Sequence, residues 1–160
     1  MTPEQAQAFA TSLDRSARIV LRDSTGPAMA IGPLVLLPRA WLLTGDPRPT
    51  IVHECCHVRQ YRWCGLGIHP WVGLPLFLVL YGLVLFPLGL AWARYRLELA
   101  ACAAVWRWQA QQPEWLDGRM LIDSVTPADR VASKAYFFAV PHCWARWGFQ
   151  RKLGKVLAGG

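Results

Sequence analysis

His53 and His57 stand four residues apart in "IVHECCHVRQ" (51–60), and Glu54 directly follows the first of them. On a helix, residues four apart share a face, so both imidazoles can reach one ion. Glu54 is rotated about 100° from His53. It would flank such an ion without ligating it, where a carboxylate can hold and deprotonate a water. This is HExxH, the spacing of zinc hydrolases. The plain alternative is a surface helix that carries two polar histidines.

A catalytic zinc takes three protein ligands and keeps one position for water. The third must come from elsewhere in the chain, where the downstream candidates are His69, Glu98, Glu114, Asp117, Asp123, Asp129 and His142. Glu98 stands out because it lies between Leu97 and Leu99 in an alanine-rich helical stretch. A carboxylate in such surroundings is costly unless it is paired or bound to a metal. Its bland role is a partner for Arg94, one turn earlier on an exposed face. His69 and His142 remain the alternatives. Cys55 points away from the histidine face and reads as a small core residue. Cys56 lies nearer that face, but an added thiolate would make a closed, structural zinc site.

The motif together with the later "YRLELAACA" (95–103) resembles the gluzincin branch of the zincin metallopeptidases. The likeness extends over about residues 17 to 112. The run His57-Val58-Arg59-Gln60 also resembles small bacterial proteins whose helix reads HE-x-x-H-V-x-Q. The resemblance implies Zn2+ held by His53, His57 and Glu98, with Glu54 as general base and acid. It also implies a peptide or protein substrate that pairs as an added strand with an edge strand around Ala28 to Leu36. Gluzincins commonly carry an acid four residues after the ligand glutamate, and here Cys102 takes that place. Support for a ligand histidine must therefore come from another residue. For the donor to a developing oxyanion, Tyr95 is the first choice and His142 the second.

The elements that must position these groups read as follows. Thr2-Pro3-Glu4-Gln5 begins a helix through a cap, a first-turn proline and a capping box, and that helix ends near Leu13. "ARIVLRD" (17–23) and "AMAIGPLVLLP" (28–38) are strand candidates. Gly32 and Pro33 push the second toward a sheet edge. Thr50 is placed to cap the HExxH helix. Residues 93–112 are helix-favouring, 126–140 begin with a Thr126-Pro127 cap, and 142–157 form a basic, aromatic terminal helix. The fold class expected is α+β, a single minimal zincin-like domain over residues 1–160 with a small edge-exposed sheet.

Between Trp71 and Ala93 no residue is charged. Pro75 and Pro87 leave Leu76 to Phe86 uninterrupted, about 16 Å of helix at about 1.5 Å per residue. That is roughly half of a hydrocarbon core about 30 Å thick. One simple crossing would also put His57 and Glu98 on opposite faces of the membrane, out of reach of one ion. The segment is therefore expected to double back near Gly82 or at Pro87-Leu88-Gly89, as a buried hairpin or one dipping into a leaflet.

The net charge of +7 favours anionic partners. No nucleic-acid module is recognisable, so nucleic acid is not expected, and the charge reads as serving either a membrane surface or mere solubility. Five cysteines without framework spacing, and no basic-then-apolar N-terminus, point to a cytoplasmic protein, free or peripheral to the inner face of the membrane. The functional expectation is a zinc-dependent metallopeptidase working through a Glu-activated, zinc-bound water. The alternatives are a non-catalytic zincin-like binding or scaffold protein, and a small integral membrane protein in which HExxH is accidental.

Overall fold

The Thr2 hydroxyl accepts the Gln5 N–H, and the Gln5 side chain accepts the Thr2 N–H, so the capping box closes and α1 runs over Pro3–Leu13. The computed structural model describes residues 1–82, 89–112 and 142–158. They form two compact units, Met1–Phe77 and Leu78–Gly160.

The first unit continues with β1 (Arg18–Arg22), β2 (Met29–Ile31), β3 (Leu34–Pro38), α2 (Trp41–Thr44) and α3 (Arg48–Cys64). Helix α4 (Pro70–Gly82) follows, then α5 (Gly89–Ala110) and α6 (His142–Leu157). Six helices and one three-stranded mixed sheet among the described residues make the protein α+β. The strand order is β1-β3-β2, with β1 parallel and β2 antiparallel to β3.

The segment 28–38 is thus two strands rather than one edge strand. Gly32 and Pro33 are the two-residue turn of a hairpin, with Ile31 opposite Leu34. Gly32 has φ +57°, the left-handed value that tight hairpin turns need at this position. β3 is paired on both sides, so the edge expected around Ala28 to Leu36 is reduced to the three residues of β2. Across so short a loop Ile31 and Leu34 form the hydrogen-bonded pair, which turns the Ala30 carbonyl away from β3. There it accepts the Tyr61 hydroxyl at 2.9 Å, tying the sheet to α3. Burial pushes the Tyr61 hydroxyl up to about 12, so it stays a donor.

The other outer strand is closed by a side chain. Gln7 on α1 accepts the Ile19 N–H at 2.8 Å and donates to the Ala17 carbonyl at 3.0 Å, in the way a neighbouring strand would. The core lies between α1, the sheet and α3: Ala6, Ala10, Val35, Leu37, Ile51, Cys55 and Val58 are all buried. Two alanines on α1 let α3 approach closely enough for the Cys55 thiol to reach the Ala10 carbonyl at 3.9 Å. Burial pushes that thiol up to about 12, so Cys55 is the inert core residue its position suggested.

Helix α3 begins two residues before Thr50. Asp46 accepts the Arg48 N–H, and Pro49 fits the first turn, where its missing N–H leaves no bond unmade. Thr50 is therefore inside the helix rather than its cap. Helix α4 likewise runs through Pro75 instead of starting after it.

Asp14, at the end of α1, has a side chain only 2% exposed, and it receives the Ser16 hydroxyl, the Ser16 N–H and the Arg62 guanidinium. Burial alone would raise this carboxyl, but the bonds from Ser16 and Arg62 outweigh it and hold the group below its ordinary value. Asp14→Asn should therefore lower stability by about 3 kcal/mol near neutrality. Because the folded carboxyl is depressed, the wild-type advantage is present above the ordinary carboxylate range and is lost as pH falls through the folded value. Urea titrations of both proteins at neutral and strongly acidic pH measure this convergence.

The doubling-back expected at Gly82 to Gly89 falls largely on residues 83–88, outside the described residues. The cap at Thr126-Pro127 and the helix 126–140 lie outside them as well. Among the described residues, no helix is long and apolar enough to cross a membrane.

Candidate metal centre

Ile51, Cys55 and Val58 recur on α3 at the spacing of one helix face, and all three are in the core. At about 100° per residue, His53, His57 and Gln60 fall on the opposite side of the same helix. One side of α3 is thus anchored while the other carries the chemistry.

The two Nε2 atoms of His53 and His57 face each other at 3.2 Å. Two nitrogens on a tetrahedral zinc, with bonds near 2.0–2.1 Å, stand about 3.3 Å apart. The rings meet edge to face with centroids 4.9 Å apart, and Phe77 of α4 packs near His57 at 6.1 Å. Phe77 also stacks on Tyr61 at 4.0 Å, so it braces the histidine face from α4.

Glu98 is on α5 and is 3% exposed, with Leu99, Ala101 and Cys102 around it also buried. One ligand atom each from His53, His57 and Glu98 lies within 4.8 Å of the others. The structure therefore contains a group able to hold a metal ion, made of the three residues singled out in the sequence. Two neutral nitrogens and a carboxylate oxygen suit a borderline cation such as zinc. Glu54 is buried on α3 beside the histidines, where the HExxH geometry puts it.

The residue that reading the motif for its ligands missed is Gln60. Its Oε1 stands 2.7 Å from His57 Nδ1, so that nitrogen donates and the Nε2 lone pair is left for a metal. The amide is itself oriented, since Gln60 Nε2 points to the Cys56 sulfur at 3.8 Å. Gln60 thus orients the His57 ring, and the Cys56 sulfur steadies Gln60 in turn. The signal was the i+3 spacing from His57, which places a polar side chain next to the ring on the same face. Gln60→Ala should weaken zinc binding about 10–100-fold without removing a ligand, as measured by competition with a chromophoric chelator.

The other candidates are placed differently. The His69 Nδ1 accepts the Trp71 N–H at 3.3 Å at the start of α4, so His69 caps that helix, and among the described residues it is not part of the group formed by His53, His57 and Glu98. Glu114, Asp117, Asp123 and Asp129 lie outside the described residues. His142 opens α6, but its side chain is outside them. Tyr95 is buried, which raises its hydroxyl, and it packs against α6 where that helix has no side chain: a Cβ on Gly148 would stand 1.6 Å from the hydroxyl oxygen. This contact places Tyr95 in the α5–α6 packing. No family model, curated protein or solved structure matches the chain.

Proposed function

We propose that this protein is a zinc-dependent peptide-bond hydrolase of gluzincin-like, zincin type. The observation that carries the reading is the convergence of His53, His57 and Glu98, with Glu54 buried next to the histidine pair on the same helix. His53 and His57 hold the ion through Nε2, Gln60 sets the His57 tautomer, and Glu98 completes the cage. When bound there, zinc supplies Lewis acidity toward a carbonyl and lowers the pKa of a water.

The chain's own contribution to hydrolysis is proton handling. Glu54 accepts a proton from the attacking water as the new C–O bond forms, and returns it to the amine nitrogen as the C–N bond breaks. No oxidant or further reactant is needed, since water and the peptide account for every atom. Tyr95, whose hydroxyl lies against Gly148 of α6, would have to leave that contact to donate to a developing oxyanion. β2 is the outer strand, and an extended peptide pairing with it would have to take the Ala30 carbonyl over from the Tyr61 hydroxyl.

Elemental analysis of purified protein, run beside a broad peptide-library digest, tests the proposal. The wild type should carry about one zinc per chain, as a three-ligand catalytic site holds, and should cleave peptides. Glu98→Ala should lose the metal, because a catalytic zinc is held by three protein ligands and the variant leaves only two imidazoles. Full zinc in that variant would remove Glu98 from the cage. Zinc without any cleavage by the wild type would leave a binding or scaffold role instead.

A further inference from the structure

We propose that the loop joining α3 to α4, with the basic cleft beside it, docks this protein on an anionic lipid bilayer: a lipid phosphate enters the cleft while Leu66, Ile68 and Trp71 enter the membrane interface. All of these residues belong to the first unit, and the inference stands independently of the hydrolase reading.

The cleft has a volume of about 670 Å3, and Arg15, Arg18, Arg62 and His69 line it with Ile68 and Trp71; among the described residues no acidic one does. The Arg62 charge is answered by Asp14. Among the described residues that of Arg18 is not, because its guanidinium bonds there only to the neutral carbonyls of Arg15 and Ala17. Arg15 adds a second cation at the same wall, also without an ion pair among the described residues. His69 takes the Trp71 N–H on Nδ1, which leaves Nε2–H as a donor. Two cations and a spare donor around one cavity fit a phosphate monoanion.

The rim is apolar where a water-facing loop would be polar. Leu66 is 89% exposed, and Ile68 and Trp63 are each 73% exposed. Trp71 lays its indole against the β2–β3 turn, where a Cβ on Gly32 would stand 2.6 Å from the ring, and still leaves its other part in solvent. Leu66 also adopts φ +56°, next to Gly67 at φ +80°. A bulky side chain in the left-handed region is strained, and glycine or asparagine is the ordinary choice there. A strained and fully exposed leucine gains nothing in water and something in a membrane interface, where an indole also belongs. Basic groups answer anionic headgroups and aliphatic groups answer acyl chains; the aliphatic rim distinguishes a bilayer from a free phosphate or a nucleic acid.

Cosedimentation of the full chain with phosphatidylcholine vesicles, and with equimolar phosphatidylcholine/phosphatidylglycerol vesicles, tests this. Binding should require the anionic lipid. Arg15→Gln and Arg18→Gln should each reduce partitioning about fivefold, as one cation near a charged surface contributes. Leu66→Gly should reduce it about tenfold through lost apolar burial. The same variant should keep or raise the thermal midpoint, because glycine suits the backbone there, so lost binding would not reflect unfolding. Equal binding to neutral vesicles would overturn the proposal. So would anionic binding that Leu66→Gly leaves intact and inorganic phosphate displaces, which would mark a small-anion site. Tighter, salt-sensitive retention of single-stranded nucleic acid by the same arginines would overturn it too.

Discussion

Glu54→Gln should abolish peptide hydrolysis, lowering kcat by about a thousandfold or more, while zinc per chain stays at the wild-type level. Glutamine matches glutamate in shape but its amide cannot accept the proton that the attacking water must lose. The substitution spares the cage because Glu54 is not one of the three residues whose ligand atoms converge. Glu54 is buried on α3, so the neutral amide also fits a site in which little water competes. His53→Ala is the complementary variant: it should lose metal and activity together. Turnover and elemental analysis on one preparation separate the two outcomes. Retained turnover in the glutamine variant would show that another group is the base.

Gly73→Ala should destabilise the protein by about 3 kcal/mol or more, a fall in thermal midpoint of about 10 °C for a chain of this size. A Cβ at Gly73 would stand 1.6 Å from the Tyr61 carbonyl oxygen and 2.5 Å from the Gly65 nitrogen. Both are backbone atoms at the end of α3, where Gly65 N–H already bonds to the Tyr61 carbonyl. Neither can retreat without unwinding that turn. The effect should reach the histidines as well, because α4 carries the Phe77 that packs on Tyr61 and near His57. Zinc affinity should therefore fall along with stability, as calorimetry with and without added zinc would show. Gly154→Ala is the control. Among the described residues nothing lies within 4 Å of its added Cβ, so in the helical interior of α6 it should be neutral or stabilising.

Local signals were legible where one stretch of chain carries both cause and effect. The capping box at Thr2 and Gln5 involves groups three residues apart, and α1 ends at Leu13 as its pattern suggests. The terminal helix is present over His142–Leu157. The strand signals were harder. Gly32 and Pro33 look like defects in one strand, yet they are the turn between two, because a hairpin's existence depends on what the flanking residues pair with. That β3 is central follows from β1 reaching it in parallel, a pairing with no local mark. Gln7 closing the outer edge of β1 is equally invisible, since a glutamine on a helix carries no sign of the strand it will meet.

At the site, the four-residue spacing of HExxH and the pitch of a helix were enough to put His53 and His57 on one face with Glu54 beside them, because a helix converts sequence separation directly into angle. The same reasoning sent Cys55 to the core. Whether a carboxylate from a distant helix comes near the pair cannot be read from spacing; only the tertiary structure brings a Glu98 oxygen within 4.8 Å of the ligand atoms of His53 and His57. It also decided what steadies His57: an amide within hydrogen-bonding distance of the ring, held in turn by a thiol. Contacts of that kind arise from rotamers and neighbours, which periodicity does not encode.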